Sequence, residues 1–438
     1  MYIFNFILII LLIFLFIKKD IKEFLSNVFV LMIICYIFFN IGIFYSFSFK
    51  TIMCYELLQY IVFLISFILL YKNGITKKQK KIITLWYSFL VINNLLIILW
   101  PSNIGGVTFP NTWGTFLLEN IKFYPSITKQ VLLYDIYFSM IPIIIFALKN
   151  NYNDEELFAI GKKLFKGFCL ALIISLSQYI FILLNKNDYF YLFRDFIFGN
   201  YKYAANVIVR NNIHSFYGFC SEPSAMAFAL FCFQWLLLIY SNSSKIKISV
   251  LLLTILLGFM TGSLSYLVYL FILIILLILK NIRMIIQFIK IHKWLMYCIT
   301  GFILIVTFSI YYNGYLTYYI DRIIKSINVV MGNKIEYSSE MERLLSIKYT
   351  FNVFLSRSIF GAGIGTVYCF SGIVSLISEI GLLGLLILGK VIKFFFNDFI
   401  DKKYLIYFLI IFLLYIVLGS ISSFIYPEFY LLILVMYC

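Results

Sequence analysis

Long apolar blocks alternate with short polar clusters along this chain, and many blocks reach the ~17–25 residues that an α-helix needs to cross a bilayer. They lie near 2–17, 26–45, 53–71, 82–99, 131–148, 164–184, 225–240, 246–260, 264–279, 294–312, 370–388, 404–419 and 426–438. The first and last are short, and 246–260 is joined to 264–279 by only a few residues. The pattern predicts an all-α polytopic membrane protein, with about 12–14 transmembrane helices in one bundle formed by 1–438. Thirteen spans place the two termini on opposite sides.

Composition agrees with this reading. The chain is 63% hydrophobic and 12% charged, with mean hydropathy +1.00, whereas soluble domains carry about 25% charged residues. A net charge of +16 raises the question of nucleic acid, and its distribution answers it. Loops 18–24, 72–81, 149–166, 241–247, 280–293 and 390–403 hold 22 of the 35 Lys and Arg. The alternate loops hold the remaining 13 in about twice the length, so the first set is expected to be cytoplasmic. The amino terminus is then outside and the carboxyl terminus inside, and no nucleic-acid partner is needed to explain the charge. Residues 1–17 lack a basic leader, and Lys18-Lys19 follows the apolar stretch, so they read as an uncleaved span. Eight scattered cysteines form no Cys-x-x-Cys pair and imply no disulfide framework or zinc site. A bridge from Cys220 to Cys54 or Cys369 stays open.

Three outer segments are long: 100–130, 185–224 and 313–361. Such segments in a compact bundle usually carry function. The first is punctuated by Pro101, Gly105-Gly106, Pro110, Gly114 and Pro125, and reads equally as a lid or as a long connection. The third holds an amphipathic pattern after residue 313 and then a second helical pattern. Ser338 or Ser339 caps that second helix, with Glu340 and Glu342 near its positive end.

Arginine is concentrated in two of these segments. Arg194 and Arg210 fall in 185–224, and Arg322, Arg343 and Arg357 in 313–361, leaving only Arg283 elsewhere. The other 29 basic residues are lysines. A guanidinium fork binds phosphate or carboxylate in a bidentate way that an ammonium cannot match.

Two constellations surround these arginines. In 207–231, Arg210 and His214 precede Ser221-Glu222-Pro223-Ser224, which opens an apolar run containing Ala225, Ala227 and Ala229. Ser221 and Pro223 suit a helix start, and Glu222 serves either the positive helix end or a cavity mouth, as a base or polar ligand. His214 is a candidate general base, though a lone histidine more often has no catalytic role. In 343–386, Gly361, Gly363 and Gly365 lead into a span containing Glu379, Gly381 and Gly384. Helix packing or a backbone bend explains the glycines, and a structural role is favoured for Glu379. Asp135, Glu56 and Glu428 lie near outer span ends and read as snorkelled or paired groups. There is no metal-ligand spacing, P-loop, Gly-x-Ser-x-Gly elbow or kinase signature. The expected chemistry therefore uses no cofactor and an already activated substrate.

At these two constellations the chain resembles the Wzy-type polysaccharide polymerases and the related O-antigen ligases. The matching features are Arg210 ahead of Glu222-Pro223-Ser224, and Arg343 ahead of Gly361-Ala362-Gly363 and Glu379-Ile380-Gly381-Leu382-Leu383-Gly384. Met260-Thr261-Gly262-Ser263 resembles the family's Thr-x-Ser turn, although Leu264 stands where an Arg often follows. The resemblance covers roughly 200–390. Residues 313–361 contain no His, which favours a polymerase over a ligase.

The resemblance implies a GT-C-like membrane bundle working at the outer face of the bacterial cytoplasmic membrane. A polyprenyl-pyrophosphate-linked oligosaccharide would pass its glycan to a hydroxyl of a second lipid-linked unit. Arg210 and Arg343 would stabilise the leaving pyrophosphate, helped by Arg357 and Arg322. Glu222 or His214 would orient or deprotonate the acceptor, and Ser224 and Gly363 would line the substrate site. A chain-length regulator is a further candidate partner. The competing readings are a flippase or transporter of lipid-linked glycans, a ligase-type glycan transferase, and a non-enzymatic protein whose arginines pair with headgroups or with Glu336, Glu340 and Glu342.

Overall fold

The computed structural model describes residues 3–18, 20–39, 43–46, 51–99, 104–106, 121–123, 127, 129–184, 186–198, 209–210, 213–220, 223–241, 244–263, 265–274, 320–321, 323–324, 327–328, 331, 339–367, 369, 371–399 and 430. These residues are mostly helical. The helices are α1 (Ile3–Lys18), α2 (Ile21–Phe38), α3 (Cys54–Asn73), α4 (Lys77–Leu99), α5 (Lys129–Asn151), α6 (Asp154–Ser175), α7 (Ser177–Leu183), α8 (Asn187–Phe198), α9 (Pro223–Tyr240), α10 (Ser244–Met260), α11 (Ser265–Ile274), α12 (Ser339–Ser356) and α13 (Gly372–Phe399). Three short antiparallel ribbons join them: β1 (Ile43–Ser46) with β2 (Thr51–Met53), β3 (Ile104–Gly106) with β4 (Ile121–Phe123), and β5 (Val209–Arg210) with β6 (Ile213–His214).

Among the described residues, six helices are long and apolar enough to cross a bilayer: Ile21–Phe38, Cys54–Asn73, Lys77–Leu99, Val131–Asn151, Pro223–Tyr240 and Gly372–Gly389. Shorter apolar helices are Ile3–Ile17, Lys247–Met260 and Ser265–Ile274. The chain is thus organised as a helical, multi-pass membrane protein. Expected spans 294–312 and 404–419, and all of 426–438 except Tyr430, lie outside the described residues. Expected span 164–184 is in fact interrupted, because α6 ends at Ser175 and α7 resumes at Ser177. The run 26–45 also ends its helix early, at Phe38, before strand β1.

The chain forms two compact units: residues 1–60 with 158–324, and residues 61–157 with 325–438. In the first, α9 packs on α2 and α10, and α8 on α1 and α7. In the second, α12 packs on α13 and β3, and α4 on α5 and α13. Strand β3 belongs to segment 100–130 and α12 to segment 313–361, so these two segments meet.

Polar residues define where the helices start. Asp20 Oδ1 accepts from Glu23 N–H at 2.6 Å at the head of α2. Thr76 and Gln79 exchange side-chain-to-backbone bonds of 3.2 and 3.1 Å before α4, as do Asn153 and Glu156, both at 2.8 Å, before α6. Reciprocal caps of this kind satisfy amide donors that a helix start leaves open. Gln79 Nε2 also donates to Asn150 Oδ1 at 2.8 Å, and Asn73 Nδ2 to Asn151 Oδ1 at 2.5 Å. Loops 72–81 and 149–166, grouped on one side by their charge, therefore touch directly.

Candidate functional site

In the second unit, the Gly361–Gly365 turn and helix α13 are joined through their backbones. Helix α13 is broken at Gly381, whose φ of 62° and ψ of −174° lie outside helical space. In an unbroken helix, Leu382 and Leu383 N–H would bond to Ser378 and Glu379 carbonyls. They instead donate to Ser358 O (2.8 Å) and Ile359 O (3.0 Å). The released carbonyls accept from Ala362 N–H (2.8 Å) and Gly363 N–H (2.9 Å). Two helical bonds are exchanged for four bonds to segment 358–363, so the break leaves none of these groups unsatisfied in apolar surroundings.

Asn93 of α4 holds the same turn, its Oδ1 accepting from Ile364 N–H at 2.9 Å. Ser378 Oγ donates to Thr350 O of α12 at 2.8 Å. Around the junction the core is unusually polar for an apolar chain, with Ser346, Thr350, Ser375, Ser378 and Glu379 all buried. The glycine turn is therefore a fixed junction rather than a flexible link.

A cavity of about 170 Å³ adjoins this junction, lined by Leu96 and by the run Ser356, Arg357, Ser358, Ile359, Phe360 and Gly361. Arg357 follows the end of α12 and is half-buried, and desolvation lowers its guanidinium pKa from the ordinary value. A guanidinium and two serines beside apolar walls make this cavity suited to an anionic group. Gly363 is buried two residues beyond it, at a φ of 106°, and a Cβ there would run into Ile97. Its N–H bonds to Glu379 O, and its carbonyl accepts from Thr366 Oγ1 at 2.7 Å. Arg343 lies in the first half of α12, with its side chain outside the described residues, as is the whole of Arg322.

The first unit holds the other constellation. The β5–β6 ribbon pairs Arg210 with Ile213 and Val209 with His214, and the side chains of Arg210 and His214 lie outside the described residues. Glu222 also lies outside them. Helix α9 begins at Pro223, the position expected from its fixed φ, with half-buried Ser224 in the first turn. The preceding stretch Ser215–Cys220 is fully buried. Gln178 of α7 secures it, accepting from Tyr217 N–H (2.9 Å) and Gly218 N–H (2.6 Å) and donating to Ser215 O (3.2 Å). Phe216 N–H donates to Met260 O at 2.9 Å, at the start of the Thr261-Gly262-Ser263 turn. Gly262 has a φ of 63° there, and Thr261 Oγ1 bonds back to Gly258 O at 2.7 Å.

Two of the stretches that carry the sequence resemblance, 361–363 and 379–384, thus meet directly, and the 260–263 turn meets the segment that lies between Arg210 and Glu222. Segment 215–220 joins the 260–263 turn in the first unit, and 358–363 joins 378–383 in the second. Sequence reasoning singled out neither Gln178 nor Asn93, although amide side chains inside apolar runs were the available signal. It also gave Arg194 no role. Arg194 is 1% exposed on α8, with its guanidinium carbon 5.8 Å from the centre of the Tyr217 ring. No disulfide links Cys220 to Cys54 or Cys369, which are all buried free thiols. Among the described residues, no group of three or more His, Cys, Asp or Glu could hold a metal ion. The chain matches no protein-family model, no curated protein and no solved structure.

Proposed function

We infer that this protein polymerises lipid-linked oligosaccharide repeat units. It takes glycan from a polyprenyl-pyrophosphate donor and transfers it to a hydroxyl of a second lipid-linked unit, at the outer face of the bacterial cytoplasmic membrane. The observation that carries this reading is the Arg357 cavity, a guanidinium-lined recess formed by the end of the third long segment against an apolar helix. Pyrophosphate is the leaving group, so negative charge grows on phosphate oxygens as the glycosidic bond breaks. A half-buried guanidinium lining such a recess stabilises that charge.

In this reading Arg343, Arg322 and Arg210 supply further positive charge, Ser224 and Gly363 lie along the substrate path, and Glu222 or His214 handles the acceptor proton. The bundle is GT-C-like, with about 12–14 spans, the amino terminus outside and the carboxyl terminus inside. A second reading, a flippase for the same lipid-linked glycan, draws on the broken helix α13, because discontinuous helices are frequent in transporters.

The test replaces Arg210, Arg343 and Arg357 singly by Lys in cells, followed by analysis of glycan length and lipid-linked units. A polymerase leaves single units accumulating on the outer face, whereas a flippase traps them on the cytoplasmic face. Full-length polymer from all three variants defeats the phosphate-clamp reading.

A further inference from the structure

Beneath the Gly361–Gly365 turn, the second unit buries oxygen atoms that have no hydrogen-bond donor. Glu379 is 1% exposed in the middle of a span. Its carboxyl faces the backbone N–H groups of Gly365 and Val367 and the Ser375 hydroxyl. Even so, Glu379 Oε1 and Ser375 Oγ are both buried without a well-formed hydrogen bond. Asp135 of α5 lies within electrostatic range of Glu379, as the weakest of the influences on its carboxyl. Asp135 Oδ2 accepts from Asn94 Nδ2 at 2.7 Å, which leaves Asp135 Oδ1 and Asn94 Oδ1 buried and unpartnered. Cys369, a buried thiol, is a further titratable group near Glu379.

The unfilled atoms are two carboxylate oxygens, an amide carbonyl oxygen and a hydroxyl oxygen. Neither carboxylate forms an ion pair with a described residue. Two like charges inside a low-dielectric span are strongly unfavourable unless something positive lies with them. An oxygen-only donor set suits a hard cation and not a transition metal, and four protein oxygens fall short of the roughly 6–8 that calcium takes.

We propose that Glu379, Ser375, Asp135 and Asn94 form a binding site for one sodium-sized monovalent cation. The site shares no residue with the lining of the Arg357 cavity. Cation occupancy would relieve the repulsion between Asp135 and Glu379 and tie α5 to the first half of α13, so binding should stabilise the folded protein.

The experiment is thermal unfolding of the full-length protein, purified in detergent, in sodium chloride against choline chloride at equal ionic strength. The expected result is a midpoint that rises saturably with sodium, by a few degrees, and does not rise with choline. Glu379→Gln and Asp135→Asn should each remove the sodium response. Because either could fail to fold, Ser375→Ala provides a milder test that keeps both charges, and it should raise the half-saturating sodium concentration several-fold. Equal midpoints in the two salts overturn the proposal. So does an undiminished sodium response in Glu379→Gln or Ser375→Ala, or stabilisation by acid alone, which would mean a shared proton instead of a metal cation.

Discussion

Gly361 and Gly381 meet backbone to backbone, with no room for a side chain on either. A Cβ at Gly361 would lie 2.7 Å from Gly381 N, and one at Gly381 would lie 2.5 Å from Gly361 N. Both also have positive φ, 74° and 62°. Gly361→Ala and Gly381→Ala should each destabilise the protein by about 2–4 kcal/mol, combining backbone strain with main-chain overlap. Gly389→Ala, on the same helix in open space, should be neutral or stabilise by about 0.5–1 kcal/mol. Unfolding midpoints in detergent check both, and equal effects at the three positions would remove the close approach as the cause.

Gln178 should be replaceable only by a residue that keeps its acceptor. Gln178→Leu strands the N–H groups of Tyr217 and Gly218 and should cost about 2–4 kcal/mol. Gln178→Glu retains the acceptor and, in the protonated form that burial favours, also a donor for Ser215 O, so it should melt nearer the wild type.

Arg194 and Tyr217 should be energetically coupled. Arg194→Lys keeps the charge but not the planar face, and should lose about 1–2 kcal/mol at this desolvated site. Tyr217→Leu should lose stability in the same direction. The double variant should fall short of the sum of the two, which a double-mutant cycle on unfolding midpoints would reveal.

Arg357 should matter more for activity than for folding. It is only half-buried, so Arg357→Lys should leave the unfolding midpoint almost unchanged. Polymer output should fall at least ~10-fold, because an ammonium cannot replace the bidentate fork on a developing oxyanion. Glycan length on gels, alongside protein abundance in membranes, separates the two effects.

Much of the architecture was legible in the chain because lipid imposes a simple pattern. Each apolar block that falls wholly among the described residues coincides with a helix or with a helix and its break. The helix start at Pro223 and the grouping of loops 72–81 and 149–166 followed from local rules. The breaks at Leu176 and Gly381 did not. Both sit inside apolar runs long enough to read as unbroken spans despite a few polar residues, and both depend on distant partners: Gln178 with the 215–220 stretch, and 358–363 with 378–383. Arginine counting pointed to Arg357, whose cavity is visible, but it undervalued Arg194, because sequence cannot distinguish an exposed guanidinium from one buried against a ring. Glu379 was read as structural. Its carbonyl does have that role, while its side chain is left with an unfilled oxygen.

The exchange of bonds at the α13 break makes segment 358–363 a structural part of that helix. It lies across the gap and serves both broken ends, accepting from Leu382 and Leu383 and donating to Ser378 and Glu379. Pulling it away would strand two of its own carbonyls and two of its own N–H groups in apolar surroundings, even if the helix closed behind it. Arg357, one residue ahead of this splint, is therefore carried on a rigid mount, and the kink in the span fixes where its guanidinium can reach.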